Sequence, residues 1–306
     1  MAVKALSAPI VQTIESLKTE TFRLDEMGDR LPIGIFRRDG SIVRDYELEE
    51  YTGDHETALS RLTQRKKNKP FDILPQFLQT VVKSIGGVSV KEFCKDEELS
   101  LEALCGNLFL SDALSMLLKL RIDSYGNTIR LAGQCPNCRT RNVDSETEPS
   151  DLSSVEIKTC SMHSPTFELS LNKGAKFFKD TDSEETIDCI TLRPLRVRDL
   201  AKMMSGKDED QLGIEYKLAF ASIAGTPIES TWAKQGTYNG VMAKTAIEEL
   251  FRALNPVDRG LLLKAAGKLS GLGPLMRSGM VCKNCSTEFD VDVPWQDMSG
   301  FLSGII

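Results

Sequence analysis

Two short words constrain this chain more than anything else in it: GQCPNCRT at 133–140 and MVCKNCST at 280–287. Each holds a Cys-x-x-Cys turn, and residues 139–281, 143 positions, lie between them. Such a turn points two thiolates at one ion while backbone amides stabilise the sulfur charge. Two turns supply four sulfurs, the closed tetrahedral set of a structural zinc. Pro136 fixes one backbone dihedral of the first turn. Asn137 and Asn284 stand just before the second cysteine of each turn, where tolerance of positive φ is useful. TIRLAG and RNVDSE flank the first turn, and EFDVDV follows the second with Phe289, Val291 and Val293 alternating. That is the strand-turn-strand setting of a zinc ribbon. The expected ligands are Cys135, Cys138, Cys282 and Cys285, holding one structural zinc.

The other four cysteines are read differently. Cys94, Cys105 and Cys189 sit among apolar neighbours and read as small core residues. Cys160 and His163, in CSMH, resemble a further half-site, but no partner pair remains for them once the ribbon sulfurs are assigned. Pairs of cysteines two residues apart fit a reducing compartment, where metal ligation is commoner than disulfides.

A 143-residue insertion is too long for a loop and must fold. What precedes each turn suggests how. In both cases a helix leads to Ser-Ile-Gly-Gly (84–87) or Ser-Ile-Ala-Gly (222–225), then to a helix carrying Leu-Leu-Lys, then to the turn. Ser84 and Ser222 are 138 apart, Lys119 and Lys264 145, and Cys135 and Cys282 147, a drift that needs a few insertions. The pattern reads as an internal duplication in which each copy donates half of one zinc site. Leu74, Phe77, Leu78, Val81 and Val82 make one apolar helix face, and Ser111 is placed to cap the helix with Leu114, Leu117 and Leu118. Thr245 and Glu248 form a capping-box pattern, and Asn255-Pro256 starts a further helix. Strand-like segments open each half at 41–51 and 186–200.

The expected fold class is therefore α+β, with two similar, mainly helical halves and short strands, joined through a four-cysteine zinc-ribbon. The expected divisions are an N-terminal arm (1–30), a first half with the first turn (31–142), a polar connector with strands (143–185) and a second half with the second turn (186–306). The arm carries Ile10, Val11, Ile14, Leu17 and Phe22 and is expected to order only against a partner. The apolar end FLSGII is a second expected docking surface.

A zinc enzyme needs an open coordination position and a base. Four sulfurs close the site, only His55 and His163 are present, and no phosphate-binding or nucleophile-elbow motif occurs. The chain is expected not to be an enzyme and to take no small-molecule substrate. Nucleic-acid binding is disfavoured by the net charge of −6 and by the acidic second ribbon arm, STEFDVDVPW. Arg130, Arg139 and Arg141 on the first arm keep it as an alternative, while RKKNK at 65–69 reads as a solvated loop. Apolar runs fall far short of the roughly 18 residues of a membrane span, and no signal peptide is expected at the N-terminus.

DRLPIGIFRRDGSIVRDYELEEYTG, CITLRPLRVRDLAKMM, LNPVDRGLLLKAAG and the closing Cys-x-x-Cys, in that order over residues 25–300, resemble the baseplate-protein family of contractile-tailed bacteriophages, similar to T-even baseplate hub subunits. The internal first Cys-x-x-Cys departs from that family's shorter single-ribbon pattern. The resemblance implies a structural tail component that docks hub or wedge subunits during assembly. Its location would be the virion baseplate, after assembly in the host cytoplasm. A tail assembly chaperone absent from the mature virion is the further alternative.

Overall fold

A computed structural model describes residues 12–64, 70–144, 149–180, 183–199, 219, 222–223 and 252–303. They fall into two compact units. The larger contains the described parts of 19–160 and 272–303, with 196–199; the smaller contains those of 12–18, 161–195 and 252–271, with 219 and 222–223. The α+β class holds, with helices and strands interleaved along the chain. No described helix is long and apolar enough to cross a membrane.

The larger unit starts inside the stretch expected to be a free arm. Residues Thr19–Arg23 form β1, antiparallel to β10 (Glu156–Cys160) in register Thr19↔Cys160 to Arg23↔Glu156. The short helix α1 (Leu24–Met27) follows. The arm expectation is thus overturned for Thr19–Arg23, because β10 offers a strand edge that β1 satisfies. Strands β2 (Arg30–Phe36) and β3 (Ile42–Leu48) make a hairpin, and the helices α2 (Gly53–Gln64) and α3 (Pro70–Val81) lead to β4 (Val82–Ile85) and β5 (Val88–Ser89). These strands give one sheet in the order β2-β3-β4-β5.

Helix α3 buries Leu74, Phe77, Leu78 and Val81 as the 3.6-residue spacing requires, while Val82 already belongs to β4. Ser84 and Ile85 were expected in a link between two helices. They lie instead in β4, paired with Glu47 and Tyr46 of β3. Helices α4 (Val90–Asp96) and α5 (Leu101–Asn107) are capped by Ser89 and Ser100, whose side chains accept from Glu92 N and Ala103 N.

The central helix α6 (Leu110–Tyr125) is buried on nearly every side. Its N-cap is Phe109, so Ser111 is not the cap: the helix starts two residues earlier, and Ser111 is turned inward against Gly273. Asp112, one residue on, is fully buried and accepts from Ile33 N (2.8 Å) and Gly34 N (3.1 Å). Those two amides lie in the irregular stretch of the β2–β3 pairing, where Gly34 takes φ +100. A side chain there would meet Val43 O at 2.8 Å, so glycine is required both by φ and by space.

Past α6 come β6 (Thr128–Ile129), β7 (Ala132–Gln134), β8 (Arg141–Val143) and β9 (Ser150–Asp151), which pairs with β6. The expected polar connector is therefore structured where described. Asp144 accepts from Leu131 N and Ser150 N, which ties β8 to its neighbours.

In the smaller unit, β11 (Phe167–Asp180) and β12 (Ser183–Leu192) form an antiparallel hairpin with a register shift between Ser170 and Ala175. Helix α7 (Pro256–Ser270) starts as its sequence predicts: Asn255 accepts from Val257 N and Asp258 N, with Pro256 in the first turn. Asp258 is buried and accepts from Asn172 N (2.7 Å) and Lys173 N (3.1 Å), inside that register shift. Ile223 bridges Leu192 of β12, and Ser222 O accepts from Arg193 N. Ile14 and Leu17 are buried, and Lys268 Nζ donates to Ile14 O. Thr245, Glu248 and the 65–69 basic run lie outside the described residues.

The chain then returns to the larger unit through β13 (Gly273–Pro274), which pairs with β10, and the hairpin β14 (Arg277–Val281) and β15 (Glu288–Asp292). Helix α8 (Met298–Ser303) closes the core, with Phe301 and Leu302 fully buried. Those two side chains were expected to face a partner. They are instead part of the cluster that contains Phe77, Leu117 and Trp295.

Candidate metal centre

The two Cys-x-x-Cys words fold into two near-identical turns at the tips of β7–β8 and β14–β15. In the first, Cys135 N donates to Thr140 O and Arg139 N to Cys135 O; in the second, Cys282 N donates to Thr287 O and Ser286 N to Cys282 O. The residue with positive φ is the one after the second cysteine, Arg139 (φ 59) or Ser286 (φ 56). Asn137 and Asn284 do not have that role. Asn137 Nδ2 reaches across to Cys285 Sγ (3.7 Å), and the Asn284 side chain reaches back to Cys138. Each asparagine therefore serves the other turn's second sulfur, a reciprocal exchange that only the three-dimensional pairing reveals.

The four sulfurs of Cys135, Cys138, Cys282 and Cys285 lie within 4.8 Å of one another, the one such metal-ligand group among the described residues. Cys135 Sγ is 3.6 Å from Cys285 Sγ, and Cys138 Sγ is 3.5 Å from Cys282 Sγ. A tetrahedron with metal–sulfur bonds of about 2.3 Å has edges of about 3.8 Å, so the sulfur cage has the size a metal ion needs. The first cysteine of each turn is buried and the second is half-buried. All four belong to the larger unit, so an ion there would tie the returning segment 272–303 to 128–144 within one unit.

The surroundings favour thiolates. The Thr140 hydroxyl lies 3.2 Å from Cys138 Sγ, and that of Thr287 lies 3.1 Å from Cys285 Sγ. The hydroxyl and N–H of Thr140, with Asn284, pull the Cys138 thiol down to about 5. Thr287 likewise lowers Cys285. At Cys135 the N–H groups of Cys138 and Asn137 also pull downward, but burial and the crowding thiols prevail and raise it to about 11. Four thiols this close cannot all ionise without a cation between them. The hairpins approach tightly at Gly133, where a Cβ would stand 2.5 Å from Val291 Cγ2.

Asn142 is the functional residue that the spacing of the cysteines does not indicate. It is 1 % exposed, its Nδ2 donates to Thr140 O (2.9 Å) and Cys282 Sγ (3.6 Å), and its Oδ1 accepts from Lys283 N (2.9 Å). The remaining cysteines stand apart from the cage. Burial raises the thiols of Cys94, of Cys105 (to about 12) and of Cys160 (to about 12). Cys160 ends β10, Cys189 is half-buried in β12, and His163 is exposed.

Comparison of the chain with protein-family models, curated proteins and solved structures found no match.

Proposed function

We propose that this chain is a non-enzymatic structural subunit of a contractile phage-tail baseplate, in which one zinc ion acts as a staple. The four-sulfur cage carries the staple half of the reading. Four thiolates fill a tetrahedral ion's coordination shell, leaving no position for water or substrate. Soft sulfur donors in that geometry select zinc or iron over the oxygen-loving ions, and zinc adds no redox chemistry to a structural joint. The baseplate half rests on the ordered resemblance of residues 25–300.

The chain further reads as a duplicated motif. In each unit a buried aspartate at the third position of a helix (Asp112, Asp258) grips two successive amides of a hairpin's first strand. In each, a Ser-Ile pair joins the hairpin's second strand: Ser84-Ile85 on β3 and Ser222-Ile223 on β12.

Proteomics of purified tails and of assembly intermediates tests the function. A fixed stoichiometry in finished tails supports a baseplate subunit. Presence in intermediates alone would make it an assembly chaperone, and absence from both would refute the reading.

A further inference from the structure

The offset of 147 positions that superposes Cys135 on Cys282 also relates Pro136 to Lys283 and Asn142 to Phe289. The two turns match in their cysteines, asparagines and threonines but differ at these two places together. On one side a buried amide, Asn142, faces a backbone N–H, that of Lys283. On the other an aromatic ring, Phe289, replaces the amide, and Pro136 has no N–H to offer. Phe289 packs near Gly133 instead, its Cε2 3.1 Å from where a Cβ would stand.

The polar clasp is fully used. Reversing the Asn142 amide would set donor against Lys283 N–H and acceptor against Thr140 O, so its orientation is fixed by its partners. One Nδ2 hydrogen serves Thr140 O, which leaves the other for Cys282 Sγ. Lys283 is held a second time, by Nζ donating to Val143 O. The second turn is thus attached to β8 by contacts that need no metal.

We propose that Asn142 is a positioning residue of the four-cysteine metal centre: it docks the second turn on the first through Lys283 N–H and orients Cys282 by donating to its sulfur, so that the cage is held in shape and releases its ion slowly. This rests on the four-cysteine reading above. Partners of metal ligands typically change metal affinity by about 10–100-fold when removed, and a pre-docked cage puts that loss into the release rate.

The test uses the full chain loaded with zinc, challenged with a chromogenic chelator, and in parallel loaded with cobalt(II) to read the sulfur-to-metal charge-transfer band. Asn142→Ala and Asn142→Asp should keep one metal per chain, release zinc about 10–100-fold faster, and shift the cobalt band. Aspartate keeps an acceptor for Lys283 N–H but loses the donor to sulfur. An Asn142→Asp protein with unchanged release and an unmoved band would therefore overturn the proposal.

Should the Asn142 variants fail to fold, the partner side carries the test. Lys283→Pro removes the N–H at a position whose counterpart is already proline, whereas Lys283→Ala retains it. Faster release in the proline variant alone supports the clasp, and equal rates refute it. An unsubstituted chain that binds no metal defeats the four-cysteine reading and this proposal together. A loaded chain that is indifferent to these substitutions defeats the proposal only.

Discussion

Replacing Asp112 by alanine removes the acceptor for two amides in one step. Its oxygens take the N–H groups of Ile33 and Gly34 at 2.8 and 3.1 Å, and Asp112 and Ile33 are both wholly buried. Alanine leaves two donors in a dry, irregular strand with no replacement partner. Each buried amide left unsatisfied costs roughly 1–3 kcal/mol, so the larger unit should lose about 2–6 kcal/mol. Against the usual ~5–15 kcal/mol of a domain, that is enough to move a urea midpoint far. Asp112→Asn returns one oxygen and turns an NH2 toward the other amide, so its loss should be intermediate.

The same residue sets a pH dependence. Burial raises the Asp112 carboxyl to about 7, outweighing the two amides and Arg44, which favour the ionised form. The folded value exceeds the unfolded value of about 3.9, so the folded state holds this proton more tightly. The stability from that proton is complete below pH ~4 and is lost as pH rises through ~7. Urea titrations followed by circular dichroism across this window read both effects. A loss below about 1 kcal/mol for alanine, or an Asp112→Asn protein with the parent's pH slope, would refute the reasoning.

Gly133→Ala puts a Cβ 2.5 Å from Val291 Cγ2, so the hairpins must separate at a cost of about 1–3 kcal/mol. Faster metal loss to a chelator is expected, and unaltered retention would count against the close approach. Phe301→Ala should cost about 3–5 kcal/mol in thermal or urea unfolding, because the ring is fully buried in its own unit. A near-neutral result would return this residue to the partner-facing role. Deleting residues 1–24 removes β1 and the buried Ile14 and Leu17, and should give aggregated or protease-sensitive protein. A folded, soluble truncation would restore the free-arm reading.

The metal cage is legible in the sequence because its chemistry is local: two cysteines two residues apart must share a turn, and alternating Phe289, Val291 and Val293 mark the strand beside it. Helix starts marked by Asn255-Pro256 are legible for the same reason. The roles of Asn137 and Asn284 are not, because a turn's sequence does not say which residue faces the opposite turn. Asp112 and Asp258 are hidden in helices that read as apolar. Their one signal is an aspartate six or seven residues before the matching lysines Lys264 and Lys119, at the third helical position. Short edge strands also escape, since β1 has five residues and only Phe22 apolar among them. Its existence depends on β10, more than a hundred positions away. Phe301 and Leu302 look like a sticky end until α6 and α2 provide the surface that covers them.

Everything about the centre turns on whether Cys135, Cys138, Cys282 and Cys285 close on one zinc. Elemental analysis of the chain purified without chelators, beside a Cys138→Ser variant, decides it. The expected result is one zinc per chain, weakened or lost in the variant, with the 272–303 segment then opened to protease. Structural zinc contributes an apparent ~10–16 kcal/mol, so the loss should be plain in unfolding as well. A folded chain that carries no metal and has all four thiols freely reactive, or one that carries iron in place of zinc, would contradict it.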